Sequence, residues 1–241
     1  MFYKKFGNSE KLIVFLHGWG SDHKAFFWIK DFLEDDYSLL FLDFNGFGLS
    51  ENPDKVLTLN DYVFALRNLL GEFKFKELIF VAHSFGGRVA LKFLFYFQDE
   101  FEKVKLCLVD SAGLLPKRGL RYKWNVARYK TLRKKVEKIP SLKFKLDLYG
   151  SSDYKVLDPI MKKTFINIVN EDLTHQAKFI KSRTVIVWGD KDKDTKPWMA
   201  RKLHRLIKDS KLIFIKNAGH FCFVEKKEEF MIILDSFLKS L

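Results

Sequence analysis

The length, composition and charge of the chain are those of one globular domain. It has 241 residues, of which 47% are hydrophobic, and a formal net charge of +13. That length can bury one substantial core, and no stretch reaches the roughly 18 apolar residues that a membrane span requires. The short apolar run near the N-terminus does not have the form of a signal peptide. We therefore expect a single domain with no targeting segment and no membrane span.

The chain has two cysteines, Cys107 and Cys222. Two thiols in apolar surroundings do not form the disulfide framework of a small secreted protein, and buried free thiols suit a reducing compartment. We therefore expect a cytoplasmic protein.

Strand-like and helix-like patterns alternate along most of the chain. Strands are predicted near residues 11–17, 37–43, 77–83, 104–110, 184–188 and 211–215. Helices are predicted near residues 23–34, 60–71, 86–98, 197–208 and 226–240. Such alternation is typical of an α/β fold with a mostly parallel sheet covered by helices on both faces. Because little chain precedes the first strong strand, any antiparallel hairpin at the sheet edge must be short.

The first predicted strand leads into the turn His17-Gly18-Trp19-Gly20. A turn at the carboxyl end of a strand can present a backbone N–H to an oxyanion. The Trp19 amide is the candidate donor, and the amide of Phe85 is the candidate for the second. We expect the His17 side chain to hold the loop together rather than to take part in chemistry. A turn without an oxyanion site is the alternative.

The third predicted strand runs into Ser84, and two glycines then open a helix. This arrangement drives a serine into a sharp strand-to-helix turn that exposes its hydroxyl, as is typical of a nucleophile. So tight a turn leaves room only for small residues two positions before and after it, here Ala82 and Gly86. The alternative is a serine in an ordinary turn.

The alternation fails between Gly113 and about Ile180, where helical patterns replace strands. We expect a helical cap over residues 113–180, inserted into a core formed by residues 1–112 and 181–241. Apolar residues at helical spacing predict two amphipathic cap helices. They are Tyr122, Val126, Tyr129, Leu132 and Val136 in the first helix, and Met161, Phe165, Ile168 and Val169 in the second.

Positive charge is concentrated at the start of this insertion. Residues 113–146 contain twelve lysines and arginines but only one acid, Glu137, which gives this segment a net charge of +11. Such a segment is either a solvated face or a surface that steers anionic partners toward a site. Nucleic acid is disfavoured, because no stacking platform or recognition motif accompanies the charge.

Two later strands end in residues that can activate a serine. Gly189-Asp190-Lys191-Asp192 follows one strand, and Asn217-Ala218-Gly219-His220 follows the next. An acid and a histidine in this order after the serine match a Ser-Asp-His triad, with all members at one edge of a parallel sheet. The Gly-x-x-Asp spacing favours Asp192 as the acid, and Asp190 and Asp194 remain alternatives.

Five motifs in this order resemble those of the α/β-hydrolase superfamily, over nearly the whole chain. They are His17-Gly18-Trp19-Gly20, Asp43-Phe44-Asn45-Gly46-Phe47-Gly48-Leu49-Ser50, Ala82-His83-Ser84-Phe85-Gly86-Gly87, Trp188-Gly189-Asp190-Lys191-Asp192 and Gly219-His220. The resemblance implies an α/β-hydrolase fold and a serine hydrolase with Ser84, Asp192 and His220 as its triad. The proline that usually follows the acid in this family corresponds to Pro197, which lies one residue further along the chain than the family pattern places it. This shift keeps Asp194 open as the acid.

The resemblance also implies a reaction, which is hydrolysis of a carboxylic ester or thioester of a small or acyl-chain substrate through an acyl-enzyme. Such a reaction requires no cofactor and no metal. The Gly-Trp-Gly turn and the Gly-Phe-Gly-x-Ser segment are similar to those of pimeloyl-carrier-protein methyl ester esterases. A basic cap would suit an acidic acyl carrier protein as the partner that presents the substrate.

Two other functions remain open. Meta-cleavage-product hydrolases use the same triad to cleave a carbon–carbon bond of 2-hydroxy-6-oxo-dienoates. They typically carry Asn before the serine and Trp after the histidine, where this chain has His83 and Phe221. The other is a non-catalytic partner-binding protein on a hydrolase fold, which the intact set of motifs disfavours.

Overall fold

One mixed sheet organises the protein. The computed structural model describes residues 1–115, 119–139, 141 and 157–240. Within them, the strands are β1 (Phe2–Phe6), β2 (Lys11–Leu16), β3 (Ser38–Asp43), β4 (Glu77–His83), β5 (Lys103–Val109), β6 (Arg183–Gly189) and β7 (Ser210–Ile215). Their order is β1-β3-β2-β4-β5-β6-β7; β1 is antiparallel to β3, and the other pairs are parallel. The predicted α/β class, the mostly parallel sheet and all six predicted strands are confirmed.

The edge strand β1 is an element that the sequence does not predict. Tyr3, Lys4 and Lys5 are exposed, and only Phe2 and Phe6 at its two ends are half-buried. Lysines on an exposed edge hinder pairing with another chain, so this strand has the polar pattern of a sheet edge rather than that of a buried strand. The expected edge hairpin is thus reduced to one antiparallel strand in the described part of the chain.

Helices cover both faces of the sheet. They are α1 (Lys30–Leu33), α2 (Leu59–Leu70), α3 (Phe85–Phe97), α4 (Leu120–Lys138), α5 (Pro159–Val169), α6 (Thr174–Ala177), α7 (Pro197–Leu206), α8 (Cys222–Glu225) and α9 (Lys227–Lys239). One face packs against α2, α3 and α7 through buried residues such as Leu66 and Leu203. The other packs against α9 and a 3-10 helix through Phe26 and Leu234. The core therefore consists of two apolar layers, one on each side of the sheet.

The predicted helix over residues 23–34 is instead a 3-10 helix, His23–Ile29, followed by the single turn α1. The buried residues of the 3-10 segment are His23, Phe26 and Ile29, which are three residues apart. A 3-10 helix has three residues per turn, so this spacing places all three side chains on one side. The period of the buried residues therefore favours the tighter helix.

The segment between β5 and β6 contains both predicted cap helices, α4 and α5. In α5, Met161 and Ile168 are buried, and Thr164 Oγ1 accepts a hydrogen bond from Leu57 N at 3.0 Å. In α4, the predicted apolar stripe is the less exposed side of the helix. Its half-buried residues are Val126, Tyr129, Leu132 and Val136. The apolar residues of α5 are thus buried or half-buried apart from Ile166, whereas the described apolar residues of α4 are half-buried at best and Trp124 is exposed.

Part of the predicted cap lies outside the described residues. This applies to the side chain of Tyr122 and to residues 116–118, 140 and 142–156, which include four of the twelve basic residues. These four are Lys117, Arg118, Lys143 and Lys145. The limits of the cap as a separate unit, residues 113–180, therefore stay a prediction.

Two buried cations of α3 hold the chain that follows α5. Arg88 Nη1 donates to Glu171 O at 2.8 Å, and Lys92 forms an ion pair with the Glu171 carboxylate. Arg88 and Lys92 are only 5% and 6% exposed. Because a buried cation that loses its partner is strongly destabilising, these contacts fix the end of the insertion to the helix that begins just after Ser84.

Both cysteines are buried and free, as predicted. Among the described residues, no helix combines the length and the apolar composition needed to cross a bilayer. The cytoplasmic location stays a prediction.

Candidate active site

The carboxyl ends of the parallel strands bring chemically active side chains to one edge of the sheet. Ser84 follows β4, Asp192 comes after β6 and His220 comes after β7. His17 follows β2, and Asp110 follows β5. This edge is where open α/β sheets bind their ligands.

Ser84 occupies a strained turn between β4 and α3. Its φ and ψ are 49° and −109°, in a region that residues other than glycine rarely adopt. Its amide donates to Val109 O at 3.1 Å, and its carbonyl accepts from Ala112 N at 3.0 Å. A Cβ at Gly86 would lie 2.2 Å from Leu16 O, so glycine is needed where α3 approaches β2. The predicted sharp turn is therefore present.

The three predicted triad residues lie in hydrogen-bond contact. Ser84 Oγ is 3.0 Å from His220 Nε2, and His220 Nδ1 is 2.9 Å from Asp192 Oδ2. The buried carboxylate can only accept, so Nδ1 carries the proton and donates it, and Nε2 accepts from the Ser84 hydroxyl. This is the geometry in which a histidine can remove the proton of a serine.

The geometry also separates the three candidate acids. Asp192 is 3% exposed and faces His220, whereas Asp190 and Asp194 are exposed. The Asp194 amide donates to Asp192 Oδ1 at 2.8 Å, so the neighbour supports the Asp192 carboxylate through its backbone. Pro197 is the first residue of α7, a position at which proline suits a helix.

Asp192 and His220 shift each other's pKa. Burial alone would lower the pKa of His220, but the hydrogen bond and the charge of Asp192 outweigh burial and raise this pKa above its usual 6.5. Burial alone would raise the pKa of Asp192, but hydrogen bonds from His220 and Thr195 hold it below its usual 3.8. The pair is thus a carboxylate beside an imidazole that readily takes up a proton, as a general base does.

The predicted oxyanion donors, the amides of Trp19 and Phe85, belong to two segments that flank Ser84. Phe85 begins α3, and neither amide has a hydrogen-bond acceptor among the described residues. The turn that carries Trp19 is close to the serine, since a Cβ at Gly18 would lie 3.4 Å from Ser84 Cβ. Two unpaired amides beside a serine are suited to bind an oxyanion.

His17 holds this turn in place, in agreement with the role predicted for it. Its Nε2 accepts from Phe44 N at 3.1 Å, and its Nδ1–H donates to Gly18 O at 2.7 Å. Burial lowers the pKa of His17 to about 4, so the ring stays neutral. A neutral histidine with both nitrogens bonded is a structural support.

Two residues of the site are not predicted from the sequence. His83 Nε2–H donates to His220 O at 2.8 Å, and burial lowers the pKa of His83 to about 3. Asp110 is fully buried, and its backbone has a φ of 42°. Its Oδ1 accepts a hydrogen bond from Gly189 N at 2.8 Å, and its Oδ2 accepts one from Cys222 N at 3.3 Å. Asp110 directly follows an apolar strand, and this position was the signal that could have identified it.

Aromatic side chains pack around Trp19, in the turn next to Ser84. The ring of Trp19 contacts Phe47, Phe85 and Phe165, with centroid distances of 4.8, 5.4 and 5.0 Å. Phe165 belongs to α5, so the insertion contributes to the surroundings of the predicted oxyanion turn. An apolar cluster of this kind suits the acyl part of a substrate.

Two groups of side chains have the composition of a metal site. They are Asp22, His23 and Asp43, and Asp192, Asp194 and His220. Asp43 already accepts hydrogen bonds from His23 N, His23 Nδ1 and Leu49 N. In the second group, Asp192 and His220 bond to each other. Because Asp43, Asp192 and His220 already use these atoms in hydrogen bonds, we assign no metal to either group.

The sequence matches the model of the alpha/beta hydrolase family over residues 13–231. The chain therefore belongs to the alpha/beta hydrolase family.

Individual relatives are similar over most of their length. The chain is 24% identical to the AB hydrolase superfamily protein YisY of Bacillus subtilis, with 95% of this chain and 91% of YisY covered. It is 28% identical to Lipase 1 of Psychrobacter immobilis, with 95% of this chain and 77% of the lipase covered. Its structure is similar to that of an esterase from Exiguobacterium antarcticum, with a TM-score of 0.74, 23% identity and 99% and 95% of the two chains covered.

Asp110 should make the stability of the protein depend on pH. Burial raises the pKa of Asp110 to about 7, although hydrogen bonds from Cys222 and Gly189 oppose the shift. In the unfolded chain this carboxyl loses its proton near pH 4, so between about pH 4 and 7 the folded state binds more protons and stability falls as pH rises. Asp110→Asn should remove this fall, which is at most about 1.4 kcal/mol per pH unit for one proton.

Urea unfolding of wild type and variant between pH 4 and 8 measures this slope. Asp190→Asn, which removes an exposed carboxyl from the same edge of the sheet, is the control and should keep the wild-type slope. A lower free energy of unfolding of Asp110→Asn is expected from the loss of an acceptor and does not decide the test. The same pH slope of this free energy in the wild type and in Asp110→Asn would contradict the prediction.

Proposed function

We propose that the protein is a serine hydrolase that cleaves a carboxylic ester or thioester of a small or acyl-chain substrate. The observation that carries the proposal is the hydrogen-bond chain from Ser84 Oγ through His220 to Asp192, with distances of 3.0 and 2.9 Å. Membership of the alpha/beta hydrolase family supports a hydrolytic reaction. Similarity to two proteins named as lipases, at 28% and 27% identity, supports an ester as the substrate.

In the proposed mechanism, His220 Nε2 takes the proton of Ser84 Oγ as this oxygen attacks the acyl carbon. The carbonyl oxygen becomes an oxyanion, which the amides of Trp19 and Phe85 stabilise. When the intermediate collapses, His220 gives the proton to the leaving alcohol or thiol, and the acyl group stays on Ser84. Water then attacks this acyl-enzyme with His220 again as the base, which releases a carboxylic acid and restores Ser84. Asp192 stabilises the imidazolium in both steps.

The surroundings of the serine support an apolar acyl group. The ring of Trp19, which carries one of the proposed oxyanion donors, contacts Phe47, Phe85 and Phe165, and Phe47 also contacts Phe85. Three of the four belong to the core, and Phe165 comes from the insertion. The width of the acyl site would then depend on how α5 packs against Trp19.

The identity of the nucleophile is tested by covalent labelling. A fluorophosphonate probe should label the wild type and fail to label Ser84→Ala, and ester turnover of the variant should fall about 10⁴-fold or more. Ser111→Ala is a matched control, because Ser111 is a buried serine at the same edge whose hydroxyl donates to Ala112 O. It should keep both labelling and turnover. Equal labelling of wild type and Ser84→Ala would refute the proposal.

The identity of the acid is tested by three isosteric variants. Asp192→Asn should lower kcat by about 10³- to 10⁴-fold, because an amide cannot stabilise the imidazolium. Asp190→Asn and Asp194→Asn should stay within about fivefold of wild type, since exposed charges contribute at most about 1 kcal/mol. Circular dichroism confirms folding in each case. If Asp194→Asn were the most damaging change, the assignment of Asp192 would be wrong.

A substrate screen separates the proposal from the other two functions. p-Nitrophenyl esters of graded chain length test ester hydrolysis, and a 2-hydroxy-6-oxo-dienoate tests carbon–carbon cleavage in parallel. Turnover of the dienoate alone would favour the meta-cleavage-product hydrolases despite His83 and Phe221. Failure of both substrates and of the fluorophosphonate probe would favour a non-catalytic binding protein.

An acidic acyl carrier protein is the partner that we propose for the basic insertion. Helix α4 exposes Lys130, Lys134 and Lys135. Trp124 is 60% exposed on the same helix, and the Arg128 guanidinium lies 4.6 Å from its ring centroid. Basic groups with an exposed aromatic ring favour an anionic protein surface, because charge accelerates the encounter and the ring adds contact area.

Salt dependence tests this partner. Exposed charges are screened over about 10 Å at 0.1 M ionic strength, so kcat/KM for an ester carried by acyl carrier protein should fall with salt, and that for a neutral short ester should not. Replacing Lys130, Lys134 and Lys135 by Glu should lower kcat/KM for the carrier-bound ester only. The charge-matched control replaces Lys103, Lys208 and Lys211, which are exposed near the amino ends of β5 and β7. The same loss in both triple variants would argue against a docking role of α4.

A further inference from the structure

Thr195 is buried between β6 and α7, beside both the proposed acid and the proposed base. Its Oγ1 is 2.6 Å from Asp192 Oδ2 and 3.2 Å from His220 Nδ1. The same oxygen is 2.9 Å from Asp110 O. The Thr195 amide also donates to Asp192 Oδ1 at 3.0 Å. One residue therefore contacts both oxygens of the carboxylate and the imidazole nitrogen that faces it.

The hydroxyl has one proton for two acceptors. The Asp192 carboxylate is charged and nearer than Asp110 O, so the proton of Thr195 goes to Asp192 Oδ2. A lone pair of Thr195 Oγ1 is then available to the Nδ1–H of His220, whose other acceptor is Asp192 Oδ2 at 2.9 Å. Both acceptors require the proton on Nδ1, which leaves Nε2 free to accept from Ser84.

We propose that Thr195 is a positioning residue for His220, which fixes the proton on Nδ1 and moderates the charge of Asp192 that the imidazole experiences. The inference rests on the proposed serine hydrolase mechanism. A hydrogen bond from Thr195 withdraws electron density from Asp192 Oδ2, the oxygen that stabilises the imidazolium. Without that bond, the negative charge is concentrated on Oδ2 and protonated His220 is stabilised more strongly. Loss of the Thr195 lone pair near Nδ1 acts in the opposite direction, but this 3.2 Å contact is weaker than the 2.6 Å bond to Asp192. Removing the hydroxyl should therefore make His220 hold its proton to a higher pH.

Other ionisable groups act on His220 as well. Asp110 comes from the end of β5, Asp194 from the same loop as Thr195, and His83 from the turn before Ser84. All three remain in every variant of Thr195. A difference between a variant with and a variant without the hydroxyl therefore reports on the hydroxyl itself.

Thr195→Val and Thr195→Ser form a matched pair, because valine keeps the shape without the hydroxyl and serine keeps the hydroxyl without the methyl group. The activity readout is the pH profile of kcat/KM for a neutral ester, whose acid limb reports the protonation of the base in the free enzyme. The direct readout is NMR titration of the His220 imidazole. Thr195→Val should move the acid limb and the imidazole titration upward by about half a pH unit, and Thr195→Ser should match the wild type. Thr195→Ala is the second hydroxyl-free variant, should valine prevent folding.

Each possible result supports or overturns the proposed role of Thr195. An upward shift in Thr195→Val or Thr195→Ala that Thr195→Ser does not show supports the proposal. A loss of kcat with an unmoved acid limb and an unmoved titration would mean that Thr195 has only a structural role. A shift of equal size in Thr195→Ser would assign the effect to packing of the methyl group, and would also overturn the proposal. If the wild type cleaves no ester, the proposed function fails, and the NMR titration alone still supports or refutes the role of Thr195.

Discussion

The close approach of α3 to β2 at Gly86 is the constraint on which the rest of the site depends. Any side chain at this position would collide with Leu16 O, so glycine is what allows a helix to begin directly after Ser84. The serine is then left at a positive φ, a strained conformation that persists because β5 and the chain after it bind both its amide and its carbonyl. The Phe85 amide, at the first position of α3, directly follows the serine and has no carbonyl of the helix as its acceptor.

His220 comes from β7, three strands away from the strand that carries Ser84, so sheet register alone does not place it at 3.0 Å from the serine. Its loop is held at three points. His83 donates to the His220 carbonyl, Asp110 accepts from Cys222 N, and Glu225 Oε2 accepts from Gly219 N at 2.8 Å. Asp110 also binds Gly189, at the end of the strand before Asp192. One buried carboxylate thus connects the loop of the base with the strand of the acid.

Much of this site is predictable from the sequence, because each motif is local and directly follows a strand whose apolar pattern is clear. The choice between Asp192 and Asp194 is less accessible, since both lie in one turn and only the folded chain shows that Asp192 is buried and bonded to His220. Asp110 and Thr195 are harder still. Asp110 contacts residues 79 and 112 positions away, and Thr195 contacts Asp192 three positions away but His220 and Asp110 at 25 and 85 positions. No periodicity in the sequence indicates contacts over such long separations. The edge strand β1 was missed because exposure leaves it without an apolar alternation.

The contact between α5 and the turn that carries Trp19 explains why the proposed triad does not by itself identify the substrate. Trp19 carries a proposed oxyanion donor on its backbone, while its ring contacts Phe165 of α5. Helix α3 begins next to Ser84, and its residues Arg88 and Lys92 bind the chain that follows α5. The turn that carries Trp19 therefore packs against both α5 and Phe85 of α3, so a change in the packing of α5 would act on the proposed acyl site and on the proposed oxyanion site together. In the proposed mechanism, the ring of Trp19 would therefore couple substrate selection to catalysis.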